Sequence, residues 1–113
     1  MVENSYVPEE GDFVMINLNP TSGHEQAGHR PAVVLTPKSY NGKTGLCLVC
    51  PVTNSIKGYS FEVKCKSPDI TGVIISDQVR SVDWRSRGIY FKAKASTDVL
   101  EEVKGKLGAL LDF

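Results

Sequence analysis

A polar segment near the start of the chain collects side chains that could transfer protons and hold a phosphate. Residues 19–31 contain His24, Glu25, His29 and Arg30. Imidazole and carboxylate groups exchange protons, and a guanidinium presents a fork of donors that matches phosphate oxygens. The segment is too long and too polar for a tight hairpin, and connections of this length are usually functional or disordered. We therefore expect it to be a functional loop.

Two further polar residues, Thr53 and Asn54, directly follow an apolar segment that is typical of a central strand. With the loop they suit cleavage of RNA by its own 2′-hydroxyl, a reaction in which the substrate supplies the nucleophile. The protein then has to supply a proton acceptor, a proton donor and positive charge. Glu25 and the histidines could move protons, while Arg30 and Thr53 could donate to phosphate oxygens. A purely structural alternative is that Glu25 and Arg30 pair across the loop.

Most motifs of other enzyme classes are missing from the sequence. It contains no phosphate-binding loop, no dinucleotide fingerprint, no H-E-x-x-H and no serine elbow. The histidines have no carboxylate cluster at metal-ligand spacing, so we expect neither a metal nor a cofactor. Cys47 and Cys50 form a C-x-x-C, but positions three apart on a strand point to opposite faces. We interpret them, with Cys65, as small buried hydrophobic residues rather than zinc or redox ligands.

The bulk composition is typical of one globular domain spanning residues 1–113, with 41% hydrophobic and 23% charged residues. The net charge is zero, but residues 30–94 carry eleven lysines and arginines and four acids. This basic middle could face a polyanion, or it could be an ordinary solvated surface. The first five residues lack the features of a signal peptide, and no apolar run approaches the roughly 20 residues that span a bilayer. An odd number of cysteines fits a reducing compartment, so we expect a cytoplasmic protein without a membrane partner.

The hydrophobic pattern predicts a fold that is mostly β with a C-terminal helix. Short strands are predicted at residues 13–18, 32–35, 46–52, 61–65, 72–75, 79–84 and 89–95, with a turn at Asn41-Gly42. Strands of this length and spacing favour a small, curved, mostly antiparallel barrel. After Ala95, helical spacing appears at Leu100, Val103, Leu107 and Leu110, and Asp98 with Glu101 resembles a capping box. We expect this helix to cover an open end or face of the barrel. For Trp84, a place in the core or a dimer interface is favoured over base stacking.

Several segments together resemble a known family. The most specific is E-Q-x-G-x-R-P at residues 25–31, within a longer match over residues 19–35. Further matches are Gly11-Asp12, Val52-Thr53, Lys57-Gly58-Tyr59, Gly72-Val73 and residues 76–81. On these residues the chain resembles the MazF/PemK toxins, the ribonuclease halves of bacterial toxin–antitoxin pairs. The resemblance covers nearly the whole chain and is closer to the MazF branch than to the PemK branch.

The resemblance implies an SH3-like antiparallel β-barrel with a C-terminal helix, assembled as a homodimer. It implies a metal-independent endoribonuclease that cuts single-stranded RNA or mRNA at a short sequence and so inhibits translation. The expected partner is a MazE-like antitoxin whose acidic tail occupies the RNA groove. The family's catalytic arginine and threonine match Arg30 and Thr53, and its loop glutamate matches Glu25. Contacts to RNA are expected at five positions: His29, Thr21, Asn54, Lys57 and Gln78.

The roles within this site are not all determined by the sequence. A guanidinium is not deprotonated in proteins, so we interpret Arg30 as a phosphate clamp, with Glu25 or His29 nearer the proton transfer. His29 could instead simply cap backbone groups at the start of a strand. Two other classes of function share this fold: a non-enzymatic toxin that inhibits gyrase, and an SH3-like binding module. The intact loop containing Arg30, together with Thr53, favours the ribonuclease.

Overall fold

The computed structural model describes residues 6–113, so the predictions made for residues 1–5 lie outside the described residues. Seven strands and two helices follow one another along this part of the chain. They are β1 (Asp12–Asn17), β2 (His29–Val34), α1 (Lys38–Thr44), β3 (Leu46–Thr53), β4 (Glu62–Lys64), β5 (Val73–Ile75), β6 (Arg80–Asp83), β7 (Tyr90–Lys94) and α2 (Thr97–Leu110). The predicted mostly-β fold with a C-terminal helix is confirmed.

The strands form one antiparallel sheet in the order β4-β5-β3-β2-β1-β7, and β6 pairs with β3 beside this path. Strand β3 is the centre of the arrangement, because it pairs with β2, with β6 through its first half and with β5 through its last two residues. Among residues 6–113 no strand pairing joins β4 to β7, so the sheet is open and a closed barrel is not confirmed.

Both faces of the central strands are buried, because alternate side chains enter two separate cores. One core lies between the sheet and α2 and includes Phe13, Val33, Val52, Val63, Ile74, Ala93, Val99 and Val103. The other lies on the opposite face and includes Val14, Ile16, Ala32, Val34, Val49, Val82 and Trp84. Cys47 belongs to the second core and Cys50 to the first, which confirms that this pair points to opposite faces. Burial raises the pKa of both thiols to about 12, so both are protonated at neutral pH.

The C-terminal helix covers the first core, as its apolar spacing predicts. Val99 and Val103 are fully buried and Leu100 and Leu107 pack at the edge of that core, whereas Leu110 is half exposed. The helix begins after Ala95 as predicted, but the capping box expected at Asp98 and Glu101 was wrong. Ser96 is the N-cap residue, so Asp98 lies in the first turn and does not cap it. A hydrogen bond with the Ser96 side chain lowers the pKa of Asp98, and a negative charge in the first turn suits the helix dipole.

The turn predicted at Asn41-Gly42 is instead a short helix, α1, which ends at Gly45 in the left-handed conformation. Asn41 is fully buried, and its amide nitrogen donates to the carbonyl oxygens of Pro8 (2.8 Å) and Thr36 (2.9 Å). These contacts satisfy a side chain that usually favours turns, so tertiary packing overrides the local preference.

Trp84 donates from Nε1 to the carbonyl oxygen of Asn41 (2.9 Å) and is buried, which confirms its predicted place in the core. Neither helix in the described part of the chain is long and apolar enough to cross a membrane.

Candidate active site

The main cleft opens where strands β2 and β3 separate. Their last described pair is Ala32 with Pro51, while Arg30 remains paired with Ile16 of β1. Strand β2 thus begins three residues earlier than predicted, and Arg30 and Pro31 belong to it rather than to the loop. A proline cannot donate to a strand ladder, and one proline stands on each strand at this point. The interrupted ladder leaves room between the two strands.

The cleft has a volume of about 430 Å³. It is lined by Met15, His29, Arg30, Pro31, Val52, Thr53, Asn54, Asp69, Ile70, Thr71, Tyr90 and Lys92. Four of the residues predicted from the sequence are therefore brought together: Arg30, Thr53, His29 and Asn54. Arg30 and Lys92 bring two basic side chains into the cleft against the single carboxylate of Asp69, which suits a phosphate group.

The Arg30 side chain is held in place by two backbone carbonyl groups. Its Nε donates to Ala27 in the loop (2.8 Å), and its Nη1 donates to Val52 at the end of β3 (3.1 Å). Its other N–H groups make no hydrogen bond within residues 6–113, and the side chain lines the cleft. The guanidinium is thus oriented by the protein while part of its donor fork stays available for a ligand.

Thr53 is 6% exposed, and its Oγ1 accepts a hydrogen bond from the Ser55 N–H (3.1 Å). Because that oxygen acts as an acceptor, its own proton remains available for donation into the cleft. The neighbouring Asn54 accepts through Oδ1 from the Thr71 hydroxyl (2.9 Å). Gly72 packs closely against the backbone of Thr53 and Asn54, since a Cβ at position 72 would lie 2.3 Å from the Thr53 carbonyl oxygen. Thr71 and Gly72 therefore support the backbone that presents Thr53.

A second cleft of about 250 Å³ adjoins the first, and Thr53 lines both. Its other lining residues are His24, Gln26, Ser55, Lys57, Tyr59, Glu62, Ile75, Asp77 and Gln78. Two more residues predicted to contact RNA, Lys57 and Gln78, therefore lie beside the main cleft. Tyr59 is 66% exposed, so a large aromatic surface is available here for stacking.

Glu25 lies apart from this group. It lines a third, smaller cleft with Gln78 and Arg80, and its Oε1 accepts a hydrogen bond from the Ser22 N–H (2.8 Å). No ion pair joins Glu25 to Arg30 in the described chain, so pairing across the loop is not observed. Thr21 is half-buried in the loop and lines none of the three clefts.

His29 does not serve as a buried structural residue. Its ring is exposed on the main cleft, tilted by 36° against the Tyr90 ring at a centroid distance of 6.2 Å. Among the described residues no group of three or more histidine, cysteine, aspartate or glutamate side chains is arranged to hold a metal ion.

Tyr90 and Lys92 line the main cleft although the sequence did not indicate them as site residues. Both belong to β7, and they are two positions apart, so they point to the same face of the strand. That alternation, together with the excess of basic residues over residues 30–94, was a usable signal for a cation near the site. What the sequence did not show is the strand order, in which β1 separates β2 from β7, and that Arg30, Tyr90 and Lys92 line one cleft across β1.

Almost the full length of this chain is similar to known proteins, both in sequence and in structure. Residues 9–111 match the family model described as PemK-like, MazF-like toxin of type II toxin–antitoxin system. The chain is 47% identical over 106 residues to the endoribonuclease toxin MazF of Escherichia coli K12, covering 94% of this chain and 96% of that one. The crystal structure of MazF from Deinococcus radiodurans is similar with a TM-score of 0.93 at 52% identity, covering 96% and 100% of the two chains. A MazE–MazF complex from the same organism gives a TM-score of 0.87 at 52% identity, covering 96% and 99%.

Proposed function

Because this chain belongs to the family of PemK-like and MazF-like toxins of type II toxin–antitoxin systems, we propose that its main cleft is an RNA-cleaving active site built on Arg30 and Thr53. The protein is a MazF-like endoribonuclease toxin. The observation that supports this site most directly is that Arg30 and Thr53, from two separate strands, line one cleft together with His29. The two clefts that share Thr53 would provide the path for a single strand of RNA.

The proposed reaction is attack of a 2′-hydroxyl on the adjacent phosphate. A P–O2′ bond forms and the P–O5′ bond breaks, which leaves a 2′,3′-cyclic phosphate and a 5′-hydroxyl. Arg30 donates to the phosphorane oxygens with the N–H groups not used on Ala27 and Val52, and the Thr53 hydroxyl donates one more hydrogen bond. The attacking 2′-hydroxyl gives up its proton to a base in the cleft and the leaving 5′-oxygen takes up one proton, so the total number of protons is unchanged.

His29 is the better-placed group for proton transfer, since it lines the cleft with Arg30 while Glu25 lies in a different one. We propose that Glu25 instead shapes the loop, through its hydrogen bond from the Ser22 N–H, or acts on a nucleotide next to the scissile bond. Nucleotides flanking the scissile phosphate would contact Asn54 and Lys57, and Thr21 would contact the RNA strand beyond the clefts. No metal takes part in this scheme.

The proposal includes a homodimer, a MazE-like antitoxin partner and a cytoplasmic location, where the mRNA substrate is found. The solved MazE–MazF complex of a relative supports the antitoxin partner. The SH3-like barrel also remains part of the proposal. It is supported by Val63 of β4 and Ala93 of β7, which belong to one core although their strands are at opposite ends of the sheet.

We expect the chain to sediment as a homodimer at micromolar concentration, because homodimers with two-fold symmetry are the commonest oligomers of soluble proteins. Analytical ultracentrifugation of the purified protein measures this directly. A single species with the mass of one chain across that range would contradict the dimer, while leaving the proposed active site untouched.

Cleavage itself is tested with purified protein, a long single-stranded RNA of mixed sequence and an excess of chelator. We expect discrete fragments that end in a 2′,3′-cyclic phosphate, because the nucleophile and all proposed catalytic groups are present without a metal. The matched control is the same RNA with 2′-O-methyl groups throughout, which lacks the nucleophile and should stay intact. Intact RNA in both samples would favour the non-enzymatic alternatives, a gyrase inhibitor or a binding module.

A further inference from the structure

Gln78 makes an unusual pair of contacts with the loop that carries the proposed chemistry. Its Oε1 accepts a hydrogen bond from the backbone N–H of Gln26 (2.9 Å), and its Nε2 donates to the backbone carbonyl of His24 (3.3 Å). One amide therefore uses both its acceptor and a donor on backbone groups two residues apart. This leaves Gln78 little capacity to contact RNA, the role expected for it from the sequence.

The backbone from which the Gln78 side chain extends is held firmly by the sheet. Gln78 follows β5, all three residues of which are buried, and its own N–H donates to the carbonyl of Ile75 (3.2 Å). The adjacent Ser76 is fully buried, and its hydroxyl donates to the carbonyl of Phe61 (2.5 Å). The side chain of Gln78 thus extends from a fixed point of the sheet to the loop.

The loop connects the Gln78 contacts to the Arg30 side chain. Ala27 directly follows Gln26, and its carbonyl accepts the hydrogen bond from Arg30 Nε (2.8 Å). A change in the path of the loop at Gln26 would therefore move the acceptor that orients the guanidinium. Displacement of a reacting group by about 1 Å is enough to slow an enzyme up to a hundredfold.

The stem of the same loop is held independently. Arg87 donates to the carbonyls of Asn17 (2.9 Å) and Asn19 (2.8 Å), and Arg80 donates to that of Leu18 (3.0 Å). Loss of the Gln78 contacts should consequently loosen the far part of the loop without detaching its ends.

We propose that Gln78 is a positioning residue, which holds the far part of the loop so that the Ala27 carbonyl orients Arg30 for cleavage. The inference rests on the proposed function, because Arg30 has a catalytic role only if the cleft cuts RNA. It assigns the loop's rigidity to one side chain more than fifty residues away in the sequence.

The first test needs no RNA. Amide hydrogen exchange by NMR measures the protection of the Gln26 N–H and of the Arg30 Nε–H in the free protein. Gln78→Ala should speed exchange at both sites at least tenfold, because both hydrogen bonds depend on the loop path. Asp77→Asn is the matched control, since Asp77 is adjacent and lines the same cleft but makes no described hydrogen bond to the loop. Unchanged exchange in Gln78→Ala would overturn the proposal.

The second test is single-turnover cleavage. Gln78→Ala should lower the cleavage step about tenfold with a smaller change in RNA affinity, as expected for misplaced catalytic geometry. Gln78→Glu keeps an acceptor for Gln26 but cannot donate to His24 while ionised. A neutral carboxyl can donate, so its rate relative to the parental protein should rise as the pH falls through the carboxyl pKa. A loss confined to RNA affinity would mean that Gln78 contacts RNA, and the proposal would be wrong.

The two tests separate this inference from the proposed function. If the parental chain never cleaves RNA and Gln78→Ala still releases the loop, then the proposed function fails and the loop-holding role of Gln78 stands.

Discussion

Replacement of Arg30 by alanine should lower the rate of the RNA cleavage step by roughly two to three orders of magnitude, the usual effect of losing one donor that stabilises charge in a transition state. Arg30 is the group that can place several N–H donors on the phosphorane, and the carbonyls of Ala27 and Val52 already orient it. RNA affinity should fall much less, because other cations such as Lys92 and Lys57 line the same path. Single-turnover kinetics beside equilibrium RNA binding distinguish the two effects.

Arg30→Lys keeps the charge but not the fork of donors, so it should recover only part of the lost rate. Arg85→Ala is the matched control, because Arg85 donates to the Gly42 carbonyl and stacks on Trp84 away from the cleft. It should cleave at close to the parental rate. All three variants should fold, since the few contacts that Arg30 or Arg85 loses are worth about 1–2 kcal/mol of unfolding free energy. Parental cleavage by a folded Arg30→Ala protein would remove this arginine from the active site.

Gly72→Ala should cost both stability and activity. Gly72 has a φ of +102°, and the added Cβ would lie 2.3 Å from the Thr53 carbonyl oxygen and 2.9 Å from Asn54 Oδ1. Backbone strain and overpacking together should lower the free energy of unfolding by about 2–5 kcal/mol, or the melting temperature by roughly 10–20 °C. The added Cβ would clash with the backbone of Thr53 and so displace the Thr53 hydroxyl. Cleavage should therefore fall at least about tenfold even where the protein is folded.

The control for Gly72 is Gly88→Ala, which separates the two causes of the loss. Gly88 also has a positive φ, of +64°, but nothing lies within 4 Å of an added Cβ. Gly88→Ala should therefore lower the free energy of unfolding only through backbone strain, by about 1 kcal/mol. Thermal melting of both variants, with circular dichroism to verify the fold, makes the comparison. Equal losses at the two positions would mean that the close approach to Thr53 does not matter.

Much of the fold was accessible from local patterns. Alternating apolar residues predicted the strands to within a few residues in most cases, and the opposite orientations of Cys47 and Cys50 follow from the geometry of one strand. The spacing of Leu100, Val103, Leu107 and Leu110 predicted the helix, but its buried face is centred on Val99 and Val103, and Leu110 is half exposed. The errors came where a distant contact outweighs local preference. Helix α1 replaces a turn because buried Asn41 binds the Pro8 carbonyl, and β2 extends to His29 because β1 pairs with it.

The candidate site divides in the same way. The sequence by itself determined which groups are available: the loop with Arg30 and His29, and Thr53 at the end of a buried strand. Only the tertiary structure decided that Arg30 and Thr53 share a cleft with Lys92, that Glu25 faces another one, and that Gln78 holds the loop. The physical reason is range. Strand and helix periods are set by neighbouring residues, whereas a cleft and its hydrogen bonds depend on strand order, on the break in the ladder at Pro31 and Pro51, and on contacts between residues far apart in the chain.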